Sequence, residues 1–440
     1  MSDHRRSAVE RVYERFVDVD EDHAYDDLPD EIVEAVPGNA TKQVTAMTLQ
    51  KAGDLVVDAK TVLPWLLVAV GAPASFTGLL VPIRESGSML PQTALVPFVR
   101  RLAVRKWLWV AGGLLQATAV LGMAAVAATL QGVAAGIGIL LALSGFALAR
   151  SLSSIASKDV LGRTVPKGAR GQISGMATVG AGVAAITVGL AMRGVGGADT
   201  PPSTFAWLLV GAAAAWLLAA ATFAQVHEAP GEHDAAASGG AVTGALALLR
   251  DDAPFRRFVV ARTLLLVSAL SPPFVVALAT QVGGAGLEGL GPFVISSGVA
   301  SLVGGRFWGR FADRSSRRVM MAAAGGSSVV VLGFLLALRF DGVGDVVLLY
   351  PAVYLLLALA HTGSRIGRKT YVVDLATGNR RTDYVAVSNT AMGVLLLLTG
   401  AISAGIAALG IEAALLLLAA LGLIGVAVSR SLPEVTPAAT

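Results

Sequence analysis

The chain has no cysteine among its 440 residues. That excludes disulfides, thiolate metal sites and cysteine nucleophiles, and leaves the compartment open. Charge is scarce as well. Asp, Glu, Lys and Arg together make 15%, against 55% hydrophobic residues, and mean hydropathy is +0.69. Too little polar surface remains for a soluble globule. Aromatic residues are 6%, which leans away from a sugar site lined with stacking rings. No Gly-x4-Gly-Lys-(Ser/Thr) loop occurs, so ATP is not the energy source, and no His-Glu-x-x-His occurs to support a membrane metalloprotease. Gly284, Gly286 and Gly289 fit a dinucleotide pattern, but they lie between apolar helices and not after a strand. No cofactor and no metal is expected.

What is abundant is apolar sequence of membrane-crossing length, roughly 20 residues per span. Ten spans are placed directly, at about 107–130, 132–156, 172–193, 204–226, 255–280, 290–311, 318–339, 345–366, 384–408 and 410–429. The 50 glycines suit close helix packing in lipid. Small residues at Ser174, Thr178 and Gly182, and at Gly305 and Gly309, predict tight crossings. Trp65, Trp107, Trp207 and Trp308 fall near span ends or bends, as interface anchors do.

The region before Trp107 is settled by an internal repeat. Residues 147–158 align without gaps to 358–369, with six of twelve positions identical. Carried back by 212 residues, the later spans map onto about 44–71 and 75–99, which brings the total to twelve. Charge supports this independently. Loops on one side of such a chain hold twenty Lys and Arg, and those on the other side hold Arg193 and Arg339. The cationic side is cytoplasmic and carries both termini. The chain then divides into an acidic tail at 1–43, a first six-helix bundle at 44–226, a linker at 227–253, a second bundle at 254–430 and a short tail at 431–440. The first 40 residues hold twelve acids and four arginines. Val9, Val12, Tyr13 and Phe16 recur there at helical spacing. The remaining basic excess lies in short loops, where topology explains it and nucleic-acid binding is not implied.

Between two spans lies Gly309-Arg310-Phe311-Ala312-Asp313-Arg314-Ser315-Ser316-Arg317-Arg318. It resembles the signature loop of the major facilitator superfamily, Gly-x-x-x-Asp-(Arg/Lys)-x-Gly-Arg-Arg, with Ser316 in place of the second Gly. Two six-span halves with parallel repetition carry the same resemblance over about residues 44–430. It implies an all-α fold of two six-helix bundles in the cell membrane. It implies a permease that moves a small-molecule substrate by alternating access, with protons as the favoured coupling ion and lipid as its surroundings. The competing reading is a non-transporting membrane protein of the same fold: a receptor, an assembly factor or a lipid-translocating scaffold. By resemblance, Asp313 engages a helix N-terminus, while Arg314, Arg317 and Arg318 pair with acids across the bundle interface to form a cytoplasmic gate with Gly309. The first-half copy has Arg101 where Asp313 stands and Pro97 where Gly309 stands, so a symmetric pair of latches is not expected.

Charges inside spans are functional candidates by default. Asp54, Asp58 and Lys60 fall in span 1. Counted at 1.5 Å per residue, Asp58 lies roughly 13 Å deep, near the bilayer middle. The two acids, four apart, are expected to share a helix face. Either they are a proton-coupling pair, or Lys60, Arg84 and Arg150 neutralise them. In span 2, Arg84 either binds an anionic substrate or pairs with Asp58, and Glu85 points about 100° away. Arg150 in span 4 matches, by resemblance, a position where the family often uses an Arg in coupling. Its repeat mate His361 either titrates near neutrality or is structural. Arg262 in span 7, Gln116 in span 3 and Asn389 in span 11 are candidates for the cavity wall. Pro64, Pro82 and Pro91 interrupt helices and free backbone carbonyls.

Overall fold

The computed structural model describes residues 28–91, 95, 99, 101–166, 169–195, 202–230, 248–283, 287–312, 314–375 and 380–435. Some side chains within those helices, including those of Gly309, Arg310 and Arg380, are excluded from the description. The expected tail helix around Val9, Asp313, and most of the linker lie outside the described residues.

Among these residues the secondary structure is helical: α1 (Asp30–Val33), α2 (Val36–Val56), α3 (Val62–Ala69), α4 (Thr77–Met89), α5 (Lys106–Thr129), α6 (Gly132–Thr164), α7 (Arg170–Val195), α8 (Pro202–Ala224), α9 (Ala253–Leu264), α10 (Val267–Gly283), α11 (Leu287–Ala312), α12 (Ser316–Ala337), α13 (Leu349–Leu375), α14 (Arg380–Ala407) and α15 (Ile411–Ser429). Eight stretches are long and apolar enough to cross a membrane: α5, α6, α7, α8, α9 joined with α10, α12, α14 and α15. The other four helical stretches are α2 with α3, α4, α11 and α13; they carry Asp54, Arg84, Glu85 and Arg368, while Arg150 and Arg262 lie on α6 and α9. Apolar side chains such as Leu141, Leu148, Val329 and Leu416 point outward, as lipid-facing residues do.

The helix breaks have local causes. α2 ends at Val56, and the chain opens through Val57 to Lys60 before α3 begins. Asp58 Oδ1 accepts from the Lys60 N–H at 2.9 Å and from Thr61 Oγ1 at 2.9 Å, just ahead of α3 with Pro64 in its first turn. Asp54 and Asp58 therefore do not share a helix face, contrary to the expectation from spacing. α2 also begins earlier than expected, reaching back into the segment read as tail. There Asn39 and His227 exchange hydrogen bonds of 2.9 and 2.7 Å, and Gln43 donates to Thr164 Oγ1 at 2.8 Å. Span 7 breaks at Leu265–Leu266. α9 is capped by the Asp252 side chain, which accepts from the Phe255 N–H, and α12 by Ser315, which accepts from the Arg318 N–H.

The helices thread between two faces. Turns near 70–73, 130–131, 338–348 and 408–410 lie on one face, and the segment after α8 and the C-terminal residues lie on the other, called here the terminal face. On the turn face the two halves meet closely. A Cβ at Gly78 would lie 2.8 Å from the Ala404 backbone, and one at Gly189 would lie 3.0 Å from the Gly291 carbonyl. Gly182 meets Leu302 at the same crossing of α7 and α11, whereas Gly305 faces open space. The small-residue pattern thus marks the crossing on α7 but not at Gly305. Trp65 is not an interface anchor. It is buried, with Phe293 at 5.8 Å and Gly289 against its ring. Trp107 and Trp207 are exposed, as anchors require.

Candidate functional site

Three separate polar clusters lie within otherwise apolar helices, one in the first half, one between the halves and one in the second half. The first is built on Asp54 of α2. Its carboxylate receives Arg84 of α4 at 3.0 Å and Arg150 of α6 at 2.7 Å. Arg84 also sits 4.6 Å over the Phe146 ring, a cation–π contact that favours a desolvated guanidinium. Arg150 reaches Gln116 Oε1 at 3.5 Å, and Gln116 donates to Ser153 Oγ at 3.0 Å. Arg84 pairs with Asp54 and not with Asp58, because the break after Val56 turns Asp58 away.

The second cluster joins the halves. Lys60 Nζ lies 2.8 Å from His361 Nε2 on α13. With Lys60 as an ammonium, Nε2 accepts, and the ring proton sits on Nδ1, which faces Ser268 Oγ at 3.4 Å. Asp58 keeps only its N–H and hydroxyl donors, with no cation within ion-pair distance among the described residues. Glu85 is close enough to Lys60, Arg368 and Lys369 for their charges to interact. The third cluster is Arg262 of α9. It donates to Ser388 Oγ at 3.0 Å and to Asn389 Oδ1 at 3.1 Å, while its buried Nε makes no hydrogen bond. Two surface grooves, one beside Arg339 and Glu412 and one beside Leu115 and Leu148, lie away from all three.

The terminal face departs from expectation. Glu228, with its side chain wholly buried, accepts from the N–H groups of Arg105 and Lys106 at the start of α5, at 3.0 and 2.7 Å. Arg105 also pairs with Asp159. In the second half, Glu434 accepts from Ser315 Oγ at 2.8 Å and lies 3.4 Å from Arg317 Nε. Arg317 Nη1 donates to the Leu432 carbonyl at 2.7 Å, and Tyr371 donates to that of Pro433 at 3.0 Å. Each half thus carries a clasp in which an acid following its last helix holds the start of its third. Glu228 and Glu434 stand in equivalent places in the two halves, independently of the Arg101 and Asp313 positions. Arg317 pairs within its own half and not across the interface. Arg314 and Arg318 are exposed, and Asp313 lies outside the described residues. Glu228, Asp159 and Glu434 escaped sequence reading. The 206-residue spacing of the two glutamates, close to the repeat, was the available signal.

No protein-family model matches the chain, and no curated protein matches it. Solved structures do. The superposition extends over about nine-tenths of the chain and decides the comparison. This is the major facilitator fold. A nucleoside transporter, NupG, superposes with a TM-score of 0.69 at 13% identity, over 90% of this chain and all of that one. A D-xylose–proton symporter gives 0.69 at 13%, over 91% and 99%. A POT family transporter in complex with a thioalcohol-conjugated peptide gives 0.68 at 10%, over 93% and 98%. At such identities the likeness concerns the fold. Here the Lys60–His361 contact bridges the two bundles.

Proposed function

We propose that this protein is a secondary active transporter that moves a small molecule across the cell membrane by rocking two six-helix bundles, with protons as the coupling ion. Lys60···His361 carries the reading. It is a polar contact between the two halves, set at mid-depth, and rocking must break and remake it. A scaffold with fixed halves has no use for such a junction, since burying a cation away from an acid costs several kcal/mol. The fold supports the same reading, because the similar structures bear the names of a nucleoside transporter, a proton symporter and a peptide transporter.

In this reading the chain crosses twelve times, with bundles at about 44–226 and 254–430 and the terminal face in the cytoplasm. The excess of Lys and Arg toward the terminal face, with Arg193 and Arg339 on the other side, supports that orientation. Asp58 is the proton carrier, since it alone of the two span-1 acids lacks a cation contact. Asp54 is the fixed counter-charge that orders Arg84 and Arg150. Closure of the turn face around Gly78 and Trp65, with clasps confined within each half on the terminal face, corresponds to a cytoplasm-facing state.

The test is proton movement in proteoliposomes, read by a trapped pH dye while a panel of candidate solutes is added. The wild-type chain should show solute-dependent proton flux. Asp58→Asn should lose that flux yet retain solute exchange. Full gradient-driven transport in Asp58→Asn removes the residue from the coupling role.

A further inference from the structure

Among the described residues, the buried charges between the helices do not balance. Asp54 is shared by two arginines, which leaves one positive charge there. Deeper, Lys60, Arg262, Arg365 and Arg368 have, among the described residues, two carboxylates as neighbours, Asp58 and Glu85. None of those four cations forms an ion pair with a described carboxylate. Lys60 meets a histidine, Arg262 meets a serine and an asparagine, and Arg368 Nε donates to the Ser364 carbonyl of its own helix at 3.1 Å. Arg365 is exposed, near Lys60, His361 and Arg368, with no partner among the described residues.

These side chains are ordered along a path. His361, Arg365 and Arg368 recur at i, i+4 and i+7, so they form one stripe of α13. At 1.5 Å per residue the stripe runs roughly 10 Å from His361 toward the terminal face. Toward its terminal end, Lys369 and Lys158, one from each half, are near enough for their like charges to interact. A row of uncompensated cations in a cleft walled by apolar helices focuses a positive potential inward. It is unfavourable when empty, and a ligand of opposite charge relieves it. Arg262, only 7% exposed with an unbonded Nε, adds a donor already desolvated and held in place by Ser388 and Asn389.

We propose that this cleft binds a multiply charged small anion, a phosphorylated or polycarboxylate compound, with Lys60, Arg262, Arg365 and Arg368 as its counter-charges. The inference rests on the transporter reading of the same space and supplies its substrate class. Arginine forks suit phosphate and carboxylate oxygens in pairs. The excess of about three positive charges selects a divalent or trivalent ligand over a monovalent one.

The experiment is equilibrium binding with the full chain in phosphatidylcholine nanodiscs, read as the shift of the thermal unfolding midpoint. Citrate and glycerol 3-phosphate are titrated against glycerol, choline and sodium chloride at matched ionic strength. A saturable rise with at least one anion, and none with the controls, is the expected result. Arg365→Gln, which removes no contact within the protein, should weaken that binding roughly tenfold, as should Arg368→Gln. Lys60→Arg should keep it, and Arg257→Gln, exposed near the start of α9, should leave it unchanged. The proposal is overturned if neither anion stabilises, if glycerol or choline stabilises equally, or if Arg257→Gln is as damaging as Arg365→Gln. It also fails if phosphatidylglycerol nanodiscs alone give the full shift while free anions give none, since the cations then serve lipid headgroups. Binding is read without flux, so the two readings separate. Proton-driven movement of a neutral solute with no anion binding removes only the substrate class. Anion binding without any flux removes only transport.

Discussion

Asp54 is the residue on which the buried charge of the first half depends. Two arginines converge on it from different helices, with side-chain exposures of 14% for Arg84 and 25% for Arg150. Removing the carboxylate leaves both guanidinium groups in a poorly hydrated site, which costs about 3 kcal/mol or more. Asp54→Ala should therefore lower the unfolding midpoint by several degrees, and adding Arg84→Gln should recover part of that loss. A midpoint unchanged in the single variant would show that water already satisfies the arginines. The sequence made Asp54, Arg84 and Arg150 legible, because ionisable residues in apolar spans are rare enough to be noticed singly. Their pairing was not legible. It depends on a break after Val56 that turns Asp58 off the α2 face, and spacing along an assumed unbroken helix gave the opposite answer.

At the scale of elements, prolines announced some irregularities, and contacts between distant segments decided others. Pro64 and Pro82 lie in or beside the broken first two spans, as expected. Glu228 and Glu434, which clasp α5 and α12, lie more than a hundred residues from the helices they hold, so no local pattern exposes them. Glycine was half legible. Gly78 and Gly189 sit where the halves meet on the turn face, and Gly305 does not. The Gly78 site has no room for a side chain, since a Cβ there meets the Ala404 backbone at 2.8 Å. Gly78→Leu should hold the turn face open. With spin labels at Ala72→Cys and Leu409→Cys in the cysteine-free chain, the distance distribution between the halves should move outward by several ångströms, about the width of the inserted side chain. An unmoved distribution would place the hinge elsewhere.

At the scale of the molecule, the repeat and the sidedness of charge were readable because both recur over hundreds of residues and survive local error. The major facilitator fold follows from them, and structures of about 10–13% identity share it. What the cleft does depends on whether its two faces open in turn. Ala358, about one turn before His361 on α13, shares a helix face with it and belongs to none of the polar clusters. The decisive measurement is labelling of Ala358→Cys by a membrane-impermeant maleimide, applied to either side of sealed vesicles. Alternating access predicts reaction from both sides, with the ratio shifting when citrate or glycerol 3-phosphate is present. Reaction from one side alone, under every condition of pH and solute, would contradict it.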